Sequence, residues 1–472
     1  MHSDDVARLE PGHQREISEG LHARFAEQFG RRADGVWFAP GRANLNGEHV
    51  DFHGGRCLPM ALAHGTYVAA APREDGLLRL RTLDPGLDDG IQTVSIAAID
   101  ALVRADAGEG SAGEVPPITD VHSIVPGVTS GWTHYVAGTL WALQQLGAEL
   151  PELAVRQGFG ADLLISSTLP IGGGLSSSAA LECSAMLAFV ALATPLGEQN
   201  PGPALGAALD DALRARLAAA CMRAEVEVVG AGTGGLDQTV SLRGRADHLV
   251  SLDCRNFSVE HRPTSRLLGE HTFLAIDTQQ AHWLGDGQFD DRRADSEAAM
   301  RLLGADQLRD VLPESPHLGD VDAGLARFDT LTGGAEAIEG RRTSACRRRL
   351  RHALTEMLRS EQLDRILGDE KLEPGAGAQQ VGHILDAGHA SMRDDAQVSF
   401  PAADAIVESA RAAGALGARL IGGGFGGSVL VLVPRSREDD VVQAVHRMCV
   451  EQSFTAPRFL HVEPSAAARP VG

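Results

Sequence analysis

The sequence predicts a two-domain protein of mixed helices and strands. With 472 residues, the chain exceeds what one hydrophobic core comfortably organises. Its apolar residues switch between helical spacing and short continuous or alternating runs, the marks of helices and strands. Glycine-rich segments punctuate those elements at 41–55, 170–180 and 420–430.

The elements follow in chain order. Residues 13–30 set Ile17, Leu21, Phe25 and Phe29 on one helical face and stop at Gly30, so an amphipathic helix is expected. The apolar run from Val36 to Pro40 reads as a strand entering a loop, and 59–81 as two strands. Residues 131–146 place Val136, Leu140, Leu143 and Leu146 on one side of a helix. The strand Ala161–Ser166 leads through a glycine loop into a helix beginning near Leu175. A helix is expected over 208–229, then the glycine-rich segment 230–238 and a strand pair at 239–253. The least regular stretch, 254–272, marks the domain boundary, giving domains 1–260 and 261–472. Helices around 292–303, 344–360 and 379–390 precede the strand Val429–Val433.

Composition narrows the function classes. A hydrophobic content of 43% with 22% charged residues is that of a soluble globular chain, and no internal repeat is present. The net charge of −21 repels polyanions, which argues against general nucleic-acid or anionic-membrane binding. The basic run Arg341–Arg351 is the local exception. It reads as a solvated helix face with ion pairs to neighbours such as Glu356, or otherwise as a phosphate-binding patch. The start MHSDDVARLE has no basic and apolar leader, and no apolar stretch approaches about 18 residues, so a cytoplasmic protein is expected. Cys57, Cys183, Cys221, Cys254, Cys346 and Cys449 form no CxxC pair and are expected as free, mostly buried thiols.

The segment PIGGGLSSSAA at 170–180 combines glycines, hydroxyls and a helix start behind an apolar strand. Glycines admit close approach of a ligand to the backbone, and exposed N–H groups with the helix dipole favour a bound anion. This is a phosphate cradle without the GxxxxGK[ST] pattern of a Walker A loop. The segment GRANLNGEHVDFHGG at 41–55 offers Glu48, His49 and Asp51 as acceptors for hydroxyls, as polyol recognition requires. A metal site is the rival reading of Glu48, His49, Asp51 and His53, although no metal-ligand helix spacing is present.

These segments resemble the galactokinase family of GHMP kinases. GRANLNGEHVDFHGG is similar to GRxNLIGEHTDYxGG, and PIGGGLSSSAA and LIGGGFGGSVL (420–430) are similar to the family's second and third motifs. GLDQ at 235–238, an RRxxxE pattern at 292–297 and SMRDDAQVS at 391–399 extend the resemblance from residue 36 to about 434. It implies a GHMP fold, with an N-terminal α/β domain, a C-terminal α+β domain and the active site between them. It also implies an ATP-dependent transfer to a sugar hydroxyl, expected at C1 of galactose or a related sugar, with ATP and Mg²⁺ as cofactors.

By resemblance, Asp237 and Arg42 are the catalytic pair. Gly172, Gly173, Gly174, Leu175, Ser176, Ser177 and Ser178 would wrap the ATP phosphates, with Gly423 and Gly424 closing from the second domain. Ser178 and Glu225 would ligate Mg²⁺. Trp132 would lie beside the adenine, or pack in the core. Glu48, His49, Asp51, Gly234 and Phe289 would face the sugar. The chain departs from the family pattern at Asn46, Val50, Phe52, His53, Ala137, Phe289 and Ala396. Phe289 stands where the family has a sugar-contacting tyrosine. Another sugar or a carbocyclic mimic (cyclitol) is therefore an alternative acceptor, with a monomer or weak dimer expected. The complete GLSSSAA run argues against a non-catalytic sensor, and Glu48-His49-x-Asp51 argues against the mevalonate and homoserine branches.

Overall fold

A computed structural model of the chain describes residues 6–84, 86–87, 90–99, 103, 131–280 and 288–471. The first strands are β1 (Ala7–Leu9), β2 (Gly35–Asn44), β3 (Arg56–Cys57), β4 (Pro59–Arg73), β5 (Leu77–Thr82), β6 (Gln92–Ser95) and β7 (Gly160–Ser167). β8 (His248–Asp253), β9 (Ser258–Pro263), β10 (His271–Asp277), β11 (Ala337–Ile338) and β12 (Arg341–Arg342) follow. The last are β13 (Gly417–Ile421), β14 (Ser428–Pro434), β15 (Arg458–Val462) and β16 (Arg469–Pro470). The helices that frame the site are α1 (Gln14–Phe29), α2 (Trp132–Glu149), α3 (Ser177–Ala193), α4 (Asp211–Ala224) and α5 (Leu236–Arg243). From the other half come α6 (Gln288–Leu302), α7 (Thr343–Gly368), α8 (Ala378–Ser391), α9 (Pro401–Ala412) and α10 (Glu438–Glu451).

A six-stranded sheet of order β16-β2-β4-β7-β5-β6 organises the N-terminal half. The long strand β4 shows why it is covered on both faces. Tyr67, Ala69 and Ala71 point to α1, where they meet Leu21 and Phe25, while Val68 and Ala70 pack with residues of α2, α3 and α4. α1 ends as expected at Gly30, whose left-handed backbone (φ 70°) lets its N–H return to Ala26 O at 3.0 Å.

The second sheet has order β1-β15-β10-β14-β13. One face packs on α9 and α10 through Leu274, Ile276, Val429 and Val431. Its other face joins α8 in a core that also takes Ala43, Leu45, Leu58, Met60 and Leu175 from the N-terminal half. The two sheets are thus joined by apolar packing directly behind the first and second glycine motifs. The chain ends cross over as well: β1 pairs with β15 of the second sheet, and β16 with β2 of the first.

Several local expectations are corrected. Residues 239–243 belong to helix α5 rather than a strand, and β8 pairs with β9 across 254–257. The stretch 254–272 is therefore more regular than its composition suggests. The expected helix at 208–229 is α4 followed by one π-helical turn, Glu225–Val229. In the basic run, Arg341, Arg347 and Arg351 pair with Asp295, Asp329 and Asp395. Arg349 is buried, and Glu356 pairs with Arg359 and Arg419 instead of the run. All six cysteines are free and buried. Among the described residues, no helix is long and apolar enough to cross a membrane.

Candidate active site

Strand β7 delivers the chain into the loop 168–176, and α3 starts at Ser177 behind Ser176, whose backbone is left-handed (φ 58°). The Ser176 side chain caps no N–H of the first turn. It donates instead to Asp237 Oδ2, so the first-turn donors keep their capacity for an external acceptor.

Arg42 lies on β2 just past a register irregularity at Pro40. Its guanidinium meets Asp237 as a two-pronged fork, Nε to Oδ1 at 2.7 Å and Nη2 to Oδ2 at 3.0 Å. Its third edge donates to Gly174 O at 2.6 Å, which ties the pair to the glycine loop 168–176. Asp237 sits in the first turn of α5, with side-chain exposure of 24% against 9% for Arg42. The carboxylate is therefore the more accessible member of the pair.

The third glycine motif closes on the second, backbone against backbone. A Cβ on Gly422 (φ 82°) would lie 2.9 Å from Gly174 O, and Ser428 Oγ donates to Gly173 O at 2.6 Å. Together these elements line a cleft of about 720 Å³. Arg42, Glu48, His49, Asp51, Trp132, Gly172, Gly174, Ser176, Ser177, Ser178, Glu225, Gly234, Asp237, Phe289 and Gly423 all contribute to its wall. Gly173, Leu175 and Gly424 do not line it. The Gly173 carbonyl takes the Ser428 hydrogen bond, Leu175 is in the core, and Gly424 packs on Val398.

The electrostatics divide the cleft. Asp51 is pushed up to about 6, first by burial and then by the negative Asp237. A Cβ on Gly234 would fall 2.2 Å from Asp51 Oδ2, so only glycine leaves that carboxylate its place. Glu48 is pushed up to about 7 by burial, although Arg419 Nη2 lies 2.7 Å from Oε2. Its side chain is spent at the cleft floor on that fully buried arginine. His49, left-handed at φ 60°, bonds Gly423 O through Nε2 at 3.0 Å and packs against Phe289 with ring centroids 5.0 Å apart. His53 bonds Ser296 Oγ at 2.7 Å, and burial lowers it to about 3.

At the other end, Glu225 is pushed up to about 7 by burial and by Asp237, against hydrogen bonds from Gln238, Thr233 and Ser178. Trp132 is partly buried against the α2–α3 core and also lines the cleft. The polar residues Thr66, Asp84, Tyr135 and Asp290 line the cleft without having been singled out in the sequence. Arg419 was missed too, for want of any local motif.

Family models match in this same order. A galactokinase galactose-binding signature covers residues 23–72, a GHMP kinase N-terminal domain 134–245 and a GHMP kinase C-terminal region 377–451. The chain is 38% identical over 447 residues to a galactokinase of Streptomyces coelicolor, spanning 94% of this chain and 96% of the relative. The chain belongs to the galactokinase family of GHMP kinases. This galactokinase-family member is an ATP-dependent kinase that transfers phosphate to a sugar hydroxyl. It is also 35% identical over 419 residues to a galactokinase of Mycobacterium tuberculosis, spanning 89% of this chain and 94% of the relative. The solved Lactococcus lactis galactokinase complexed with galactose superposes with a TM-score of 0.72 at 25% identity, covering 95% of this chain and 98% of that one.

Among the departures from the galactokinase pattern, Phe52 and Phe289 line the cleft, with ring centroids 6.3 Å apart. Asn46, Val50, His53 and Ala396 are buried and do not line it. Asn46 bridges Arg419 Nη1 at 2.5 Å and Ser360 Oγ at 2.8 Å. Of these departures, only the two aromatic positions Phe52 and Phe289 face the cleft.

Proposed function

We propose that this kinase transfers the γ-phosphate of ATP to the C1 hydroxyl of galactose. The observation that carries the reading is the Arg42–Asp237 fork, anchored to the phosphate loop through Gly174. In phosphoryl transfer the protein supplies little covalent chemistry; it positions the acceptor and offsets charge on the transferred group. Asp237 accepts or orients the acceptor hydroxyl's proton, while Arg42 fixes the carboxylate plane and places its charge beside the reacting oxygens. Gly172–Ser178, with Gly423 and Gly424 behind them, shape the phosphate side, and Trp132 offers a flat face to the base.

The residues present fit a magnesium ion. Ser178 and Glu225 offer hard oxygen donors, and Glu225 lies in surroundings short of positive charge. When bound, Mg²⁺ offsets charge on the phosphate oxygens. Asp51, His49, Gly234 and Phe289 form the sugar side, with Glu48 as its floor. The hydroxyl-free rings of Phe52 and Phe289 support a second reading, a carbocyclic mimic presenting an apolar ring edge. The test is ADP release over hexoses, hexosamines and cyclitols, with the phosphate then located by NMR. Phosphate on C1 of galactose is expected. A best product phosphorylated on a cyclitol would favour the second reading, and turnover of mevalonate alone would overturn both.

A further inference from the structure

Gln238, the residue after Asp237, is fully buried and does not line the cleft. Its Nε2 donates to Glu225 Oε2 at 2.6 Å and to Glu182 Oε2 at 2.9 Å. One side-chain amide thus spends both its N–H bonds on carboxyl groups from two other elements. Glu182 is fully buried on α3, four residues beyond Ser178 and so on the same face of that helix. Only Glu225 of the two acids reaches the cleft.

The arrangement is expensive as a mere piece of core. Glu182 Oε1 and Gln238 Oε1 are buried with no hydrogen-bond partner, and the acids Glu182, Glu225 and Asp237 crowd one region. Apolar side chains of similar volume would fill the same space without those costs. What the polar set adds is orientation: Gln238 holds Oε2 of Glu225 from the buried side, while Thr233 and Ser178 also hydrogen-bond the carboxylate, which lines the cleft.

We propose that Gln238, anchored by Glu182, is a positioning residue that aims the Glu225 carboxylate at the divalent cation of the bound nucleotide. The inference rests on the reading of Glu225 as a metal-facing ligand. Because Gln238 and Asp237 are consecutive on α5, the group that meets the acceptor hydroxyl and the group that aims the metal ligand ride on one helical turn.

Outer partners of metal ligands typically change metal affinity by about 10–100-fold when removed. Gln238→Leu is therefore expected to raise the Mg²⁺ concentration for half-maximal rate by about that factor, with the sugar KM within about twofold of wild type. Mn²⁺ binding in the presence of a non-hydrolysable ATP analogue, followed by EPR, is expected to weaken in parallel. Glu182→Gln keeps an acceptor for Gln238 and is expected to restore near-normal metal dependence, whereas Glu182→Ala is not. If Gln238→Leu does not fold, Glu182→Ala carries the test. Loss of rate with unchanged Mn²⁺ and Mg²⁺ dependence in these variants would overturn the positioning role. A Glu225→Gln control separates the two layers. If it too leaves metal binding unmoved, the ligand reading of Glu225 fails and the clamp fails with it; if it weakens binding while Gln238→Leu does not, the clamp alone fails.

Discussion

The Ser428 hydroxyl donates to the Gly173 carbonyl across 2.6 Å, binding the glycine loop of the second sheet to the glycine loop 168–176 of the first. Ser428→Ala removes one buried hydrogen bond, worth about 1 kcal/mol, and leaves a buried carbonyl unpaired. The expected outcome is a raised KM for ATP with a modest fall in Tm. Gly422→Ala is expected to be worse, since it combines a left-handed backbone with a Cβ 2.9 Å from Gly174 O. Thermal melts with and without nucleotide check both.

Asp237→Ala is expected to lower kcat by at least about 10²–10⁴-fold while ATP binding persists. Arg42→Lys keeps the charge but loses the fork, so kcat is expected to fall by less than in Asp237→Ala. Single-turnover rates with nucleotide titrations test this. A normal kcat in Asp237→Ala would remove the assignment.

His352 is fully enclosed, with Nδ1 at 2.9 Å from Ser391 Oγ and Nε2 at 3.1 Å from Glu48 O. Burial lowers it to about 3, with His49 and Arg359 acting the same way and Glu356 opposing them. In the unfolded chain it takes a proton near its ordinary 6.5. Its contribution is therefore complete above that value and is lost as pH falls from 6.5 towards 3, at up to about 1.4 kcal/mol per pH unit. Glu48 and Glu225, raised from 4.5 to about 7, act in the opposite sense, their contribution complete below 4.5 and lost as pH rises from there to about 7. The comparison must therefore be between variants. Urea midpoints for His352→Asn are expected to fall less steeply with acid than those of wild type, and parallel profiles would exclude the effect.

Phe289→Tyr places a hydroxyl beside His49 at the sugar side. A hydrogen bond of about 0.5–1.5 kcal/mol corresponds to a roughly two- to tenfold change in relative kcat/KM among hexoses and cyclitols. Unchanged preferences in the ADP-release screen would remove this ring from specificity.

Much of the cleft wall was legible because its residues lie close together in sequence. The glycine-serine loop at 170–180, the polar segment at 48–51 and the helix start at Asp237 are each written within about a dozen residues. What was not legible depends on distant partners. Arg419 finds Glu48, Glu356 and Asn46 only through the fold, so the sequence shows Glu48 as an acceptor for hydroxyls but not its buried arginine partner. Thr239-Val240-Ser241-Leu242 has the β-branched alternation of a strand, but tertiary context makes it helical. Gly235 (φ 78°) opens the helix, and Val240 and Leu242 pack into different cores. The kinship of the basic run with Asp295, Asp329 and Asp395 was likewise invisible to local spacing.

The crossed termini have a consequence for synthesis on the ribosome. The edge of β2 that faces β16 stays open until residues 469–470 emerge, and β1 waits for residues 458–462 before it has any strand to pair with. Domains generally fold as units during translation, and an open strand edge invites foreign pairing. Neither sheet of this kinase is complete until residues 458–470 have emerged, so the nascent chain carries an open β2 edge until then.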